Sequence, residues 1–182
     1  MEKSKEEKLK SNYNTTLENI KSSVDKSQKK KNPILIAVSK KRPVEAIQVI
    51  YNLGQRIFGE NYPQELLNKS KLLPKDIEWH LIGHLQTNKV KKLLEEIPNI
   101  VIESVDRIDI VKKISQYADI KNKTKVYLEI NISGEDSKTG CPIKDIYNVA
   151  DEIIKNGDKM ELIGIMSLGK IGDKEEFAKM IE

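Results

Sequence analysis

The chain has 182 residues, enough for one domain with a sizeable core but hardly for two. Charged residues make up 33% and hydrophobic ones 38%, which suits a globular protein with a heavily solvated surface. Lys+Arg 32 against Asp+Glu 28 leaves +4, a mild excess without interleaved aromatics, so no nucleic-acid reader is expected.

The N-terminal "MEKSKEEKLK" lacks the apolar core of a signal peptide, and its glutamates argue against a transit peptide. Leu9, Tyr13, Leu17, Ile20 and Val24 follow at three- and four-residue spacing, one stripe of an amphipathic helix. "KSQKKKN" (Lys26 to Asn32) breaks that pattern. Residues 1–32 therefore read as an N-terminal helix and basic linker, ahead of one domain over 33–182.

Six short apolar runs come next: "ILIAVS", "RIFGE", "EWHLIG", "IVIESV", "KVYLEINIS" and "ELIGIMSLG". Helical patterns separate them. Pro43 opens the first helix and Gly54 closes it, with Val44, Ile47, Ile50 and Tyr51 inward. Pro63 opens the second over Leu66 and Leu67. Thr87 caps the third, which carries Val90, Leu93, Leu94 and Ile97 and stops before Pro98. Asp106 caps the fourth over Ile108, Val111 and Ile114. Pro142 opens the fifth over Ile146, Val149, Ile153 and Ile154, closed near Gly157. Asp173 and Glu176 form an acidic capping box for a last helix. No run approaches the roughly 20 apolar residues of a membrane span. The single Cys141 rules out an internal disulfide and points to a reducing, cytoplasmic setting.

Strict strand–helix alternation implies a parallel sheet with right-handed crossovers. An open doubly wound sheet and a (β/α)8 barrel both fit, although a barrel needs eight units and six are counted. "ILIAVSK" raises the chemical question, because an apolar strand stops on Lys40, in phase with Ile34, Ile36 and Val38. In a barrel the C-terminal strand ends carry the chemistry, and a partly desolvated amine there attacks an aldehyde. A lysine that merely ends a strand in solvent fits the same pattern.

"AVSK", "FGENYPQE", "WHLIGHLQTNK", "SVDR", "INISGEDSKTG" and "LIGIMSLG", in that order and spacing, resemble the pyridoxal phosphate homeostasis protein family. The likeness runs from about Ile34 to the C-terminus. It implies the fold of the N-terminal barrel domain of alanine racemase, here with about six of eight units, an incomplete (β/α)8 TIM barrel. It implies that Lys40 carries pyridoxal 5′-phosphate as a Schiff base over the barrel mouth. It also implies Asn61 near the cofactor ring, with helix capping as the plain alternative, and Met166 and Ser167 flanking the cofactor, with Met166 as core filler otherwise. The function implied is intracellular pyridoxal phosphate (vitamin B6) homeostasis without substrate turnover, with no catalytic residue and with apo pyridoxal-phosphate enzymes as candidate recipients. The alternatives are a truncated, inactive member and, behind it, an amino-acid racemase.

His80 and His84 are four apart, a metal pair on a helix, but "EWHLIGH" reads as strand into turn. No metal is expected, and His80 is read as structural or cofactor-facing. Glu129 and Asn131 alternate with Leu128, Ile130 and Ile132, a polar face suited to a barrel mouth. "GEDSKTG" lacks the order of a phosphate loop, and Lys138 within it is read as a solvated loop lysine. The family pattern continues with phosphate-holding segments at strands seven and eight. Without them the first and sixth strands are expected to be open edges with exposed apolar faces, and cofactor affinity to fall.

Overall fold

The computed structural model describes residues 2–27, 31–135 and 138–169. The first stripe folds as α1 (Lys3–Lys26). Then come β1 (Ala37–Val38), α2 (Val44–Asn52), β2 (Ile57–Glu60), α3 (Pro63–Leu72), β3 (Glu78–Leu81), α4 (Thr87–Glu96) and β4 (Val101–Val105). The described chain continues with α5 (Ile108–Tyr117), β5 (Thr124–Glu129), a 3-10 turn over Ile143–Asp145, α6 (Ile146–Lys155) and β6 (Met160–Met166). All six strands pair in parallel, and the sheet order is the chain order, β1 to β6.

One face of the sheet is dry. Phe58, Trp79, Leu81, Ile102, Val126 and Leu128 are buried there with Leu66, Leu67, Val90, Leu93, Ile110 and Ile114 from the helices. Burial of each large side chain stabilises the fold by about 1.5–3 kcal/mol. Phe58 and Trp79, in register on β2 and β3, meet as tilted rings 6.0 Å apart. The other face is narrow at Gly59, where a Cβ would lie 3.2 Å from both Ile36 Cγ2 and Ile82 Cδ1. Gly59 pairs with Val38 on one side and His80 on the other, so these positions share that face.

The segment read as strand "ILIAVS" forms ladder pairs only at Ala37 and Val38. Among the described residues β1 has a partner on one side alone, and on that open edge Ile34 is exposed and Val38 is 51% exposed. Asp106 does not cap α5. The N-cap residue is Arg107, and Asp106 Oδ1 accepts a hydrogen bond from the Arg107 guanidinium instead. Thr87 is the first helical residue of α4, after Gln86, a one-residue difference within ordinary end fraying. Ile154 is exposed, while Val149 and Ile153 face the core. The Asp173–Glu176 box lies outside the described residues.

The N-terminal helix docks. Leu9 and Tyr13 pack half-buried against the core, and the Tyr13 hydroxyl donates to Gln55 Oε1 at 3.0 Å. Gln55 in turn donates through Nε2 to the carbonyls of Leu35 (2.7 Å) and Ile57 (2.6 Å). One amide thus ties α1, the approach to β1 and the start of β2.

Candidate functional site

Lys40 follows β1 in a tight turn. Arg42 N–H donates to Ser39 O at 3.0 Å, closing residues 39–42. Lys41 sits at φ 58, the left-handed region that side chains with a Cβ rarely adopt, and is the one non-glycine residue there among those described. Lys40 itself is exposed. The partial desolvation expected from a closed barrel is not supplied, for the same reason that Val38 is exposed: β1 is the sheet edge.

The turn is built on a buried ion cluster. Ser39 is buried, and its N–H donates to Gly59 O while its hydroxyl donates to Glu60 Oε1 at 2.7 Å. Lys69 reaches in from α3, buried, and its ammonium donates to Ser39 O (2.7 Å), Glu60 Oε1 and Glu65 Oε1 (2.7 Å). Glu65 Oε1 also accepts the Lys41 backbone N–H at 2.8 Å. Burial raises the Glu60 carboxyl above its ordinary value, against the opposing pull of Lys69 and Ser39. The hydrogen bond from Lys69 lowers Glu65. Removing one partner of such a buried pair typically costs about 3–5 kcal/mol, because the other charge stays behind without compensation.

Asn61 follows β2, next to this cluster. Its backbone is pressed by Gly83, where a Cβ would lie 2.3 Å from Asn61 O; only glycine permits the approach. Asn61 does not cap α3, whose N-cap residue is Tyr62 with no side-chain cap bond, and Asn61 Oδ1 is buried without a partner. Three further buried acceptors share that condition: Glu60 Oε2, Ser104 Oγ and Glu129 Oε2. All four come from the C-terminal ends of β2, β4 and β5, the end at which barrel folds carry their chemistry. Glu129, the last residue of β5, accepts from the Thr139 hydroxyl, and burial raises its carboxyl.

His80 stands between two carboxylates. Nδ1 meets Glu103 Oε1 at 2.5 Å and Nε2 meets Glu78 Oε1 at 3.2 Å, so both ring nitrogens have partners inside the sheet. His84 faces Asp106 at 3.8 Å, on a separate loop. Among the described residues no three His, Cys, Asp or Glu side chains converge as a metal site.

Met166, half-buried, is in register with Glu129. Ser167 donates through its hydroxyl to Ile130 O at 2.7 Å. Asn131 is bonded into the loop that follows β5. Its amide donates to Glu135 O and its Oδ1 accepts from Gly134 N–H and the Ser133 hydroxyl, which folds the following loop back on itself. Lys138 pairs with Glu135 and reaches Leu168 O. Lys40 and Asn61 therefore end neighbouring strands, whereas Met166 and Ser167 end the strand at the opposite edge.

Glu60, Lys69 and Glu65 were not singled out by the sequence reading. The signal existed: Glu65 and Lys69 are four apart on one helix, the spacing of an ion pair, and Glu60 lies in the "FGENYPQE" stretch. Their burial beneath the Lys40 turn needed the fold.

No family model matches the sequence. The chain is 36% identical over 169 residues to the pyridoxal phosphate homeostasis protein of Schizosaccharomyces pombe, covering 91% of this chain and 70% of that protein. It is 39% identical over 150 residues to the protein of that name from Homo sapiens, covering 77% and 54%. Among solved structures, a protein of Bifidobacterium adolescentis matches with a TM-score of 0.86 at 30% identity, over 98% of this chain and 77% of that one. PipY of Synechococcus elongatus with PLP bound matches at 0.67 and 30% identity, over 81% and 68%. Alanine racemase of Corynebacterium glutamicum matches at 0.63 and 14% identity, over 80% and 43%, a likeness of fold. The parallel strand–helix sheet thus has the alanine racemase-like barrel fold, with six strands among the described residues. The chain spans between about half and seven tenths of the length of these two curated relatives.

Proposed function

The chain belongs to the pyridoxal phosphate homeostasis protein family, and from that premise we propose that it holds pyridoxal 5′-phosphate covalently on Lys40 and turns over no substrate. The observation that carries this reading is the Lys40 turn. It offers an accessible primary amine on a fixed backbone after β1, and the neighbouring strand β2 is followed by Asn61, whose side-chain oxygen is buried with no partner. An aldehyde on a polar ring fits that pair. When bound, the cofactor supplies an aldehyde carbon that a primary amine attacks with loss of water.

The chain's own groups have three tasks. Lys40 Nζ provides the nitrogen, and its exposure leaves it accessible to the aldehyde. Asn61 meets the ring with an acceptor that has no competing protein donor. Met166 and Ser167, at the end of β6, flank the far side in this reading. His80 takes the structural alternative, since both its nitrogens already meet carboxylates.

A carrier role differs from racemisation in the groups it requires. Removing and returning a proton at a substrate carbon takes a second acid or base opposite the lysine. In the proposed carrier role no such step takes place, and the cofactor is stored and passed on to apo pyridoxal-phosphate enzymes in the cytoplasm. No helix among the described residues is long and apolar enough to cross a membrane.

The test mixes the 182-residue chain with pyridoxal 5′-phosphate, desalts it, reduces with borohydride and maps the labelled peptide. Label on Lys40, abolished in Lys40→Ala, is the expected result. Loss of all cofactor on desalting, label retained in Lys40→Ala, or turnover of alanine above that of free cofactor would each overturn the proposal.

A further inference from the structure

The Lys40 turn is held on both flanks by groups that never touch the amine. On one side Ser39 is pinned three ways: its N–H to Gly59 O, its hydroxyl to Glu60 Oε1, and its carbonyl to the Lys69 ammonium. On the other side the Lys41 N–H is held by Glu65 Oε1, an atom that also accepts from Lys69. Lys41 needs holding, because its left-handed conformation is unfavourable for a residue with a Cβ and persists only where surroundings impose it. A buried ammonium, two carboxylates and a strained residue converge on the backbone around one exposed lysine. A surface turn of a lysine-rich chain has no structural need for that investment.

We propose that Lys69, Glu60 and Glu65 form a positioning device for Lys40, fixing the turn so that this one amine is presented to the cofactor aldehyde. Lys69 is the hub. It neutralises part of the two carboxylates and sets where their oxygens stand, and those oxygens set the backbone at Ser39 and Lys41. None of the three is a catalytic residue. The inference rests on the proposed role of Lys40.

Lys69→Met is the obvious variant, but it leaves Glu60 buried without its cation and can fail to fold. Glu65 is the better lever, since it is partly exposed in the first turn of α3 and acts on Lys41 directly. Full-length wild type, Glu65→Ala and Glu65→Gln are each treated with pyridoxal 5′-phosphate over a concentration series and reduced with borohydride. Label on Lys40 is then quantified against label on the exposed Lys8. Circular dichroism checks that each variant is folded. Wild type should label Lys40 in clear preference to Lys8. Glu65→Ala should lose that preference by up to about a hundredfold, the scale of a misplacement of about 1 Å in a reacting group. Glu65→Gln should recover most of it, because its amide oxygen still accepts the Lys41 N–H while its charge is gone.

Full preference in Glu65→Ala overturns the positioning device and leaves the reading of Lys40 standing. Equal loss in both variants overturns it too, since charge near Lys40 would then be the cause and not the hydrogen bond. No preference for Lys40 in wild type overturns the reading of Lys40 and the device with it.

Discussion

Glu129 shows how a single buried carboxyl makes this fold sensitive to pH. Its Oε1 accepts one hydrogen bond from Thr139 and its Oε2 has no partner, so burial favours the protonated form and holds the carboxyl above the ordinary carboxylate range. A group raised in the folded state contributes stability that is full below its unfolded value and lost as pH climbs through the folded one. Glutamine at this position does not titrate. The difference in melting temperature between Glu129→Gln and wild type, without cofactor, is therefore expected to move in the variant's favour from about pH 4.5 upward and then level off. Melting curves recorded across that range check the sign. Two curves that stay parallel would mean that Glu129 is as solvated in the folded chain as in the unfolded one. By contrast Cys141, pushed up to about 11 by burial, stays a protonated, inert thiol throughout.

At the scale of elements, α1 attaches through a narrow contact. No residue of the helix is fully buried, and its side-chain hydrogen bond to the rest of the fold runs from Tyr13 to Gln55. Tyr13→Phe removes that bond and leaves the buried Gln55 oxygen without a donor, so a loss of about 1 kcal/mol is expected. A shift of the urea midpoint at unchanged slope measures it, and an unmoved midpoint would show that the helix gains nothing from this bond. The helix itself was legible, because a stripe from Leu9 to Val24 repeats over four turns and needs no tertiary information. The six strands and their parallel order were legible for the same reason, each apolar run being bounded by a proline, glycine or polar start. Strand ends were not. Among the described residues β1 pairs with β2 alone and stops at Val38, a fact of sheet position that local pattern does not encode. Asp106 looked like a cap and serves Arg107 instead, since a carboxylate beside a guanidinium finds a stronger partner than a helix N–H. Lys40 could be picked out as a strand-terminal lysine, and its cofactor role came from resemblance. The cluster beneath it stayed hidden because Glu60, Lys69 and Ser39 are brought together by three different elements.

At the scale of the whole sheet, two edges stand out among the described residues. Among the described residues β1 pairs only with β2 and β6 only with β5, and both edges carry apolar side chains into solvent, with Val38 at 51% and Ile165 at 44% exposed. The sheet is parallel throughout, so the free side of β6 in one copy can accept the free side of β1 from another and continue the same strand order. That contact joins two different surfaces. It propagates from copy to copy unless the rotation closes a ring, unlike a two-fold dimer, which stops at two. The 182-residue chain is therefore expected to show a mass that rises steadily with concentration in light scattering behind size-exclusion chromatography. Lysine at either edge disfavours pairing, because an ammonium must then be buried at the new interface. Val38→Lys and Ile165→Lys should each reduce the association, and the double variant should run as a monomer. Because one contact uses both edges, either single change blocks the same joint, so the double variant gains little over the better single. A wild-type chain that stays monomeric at every concentration would show that the edges are protected, and a fixed dimer would show that the surfaces meet symmetrically.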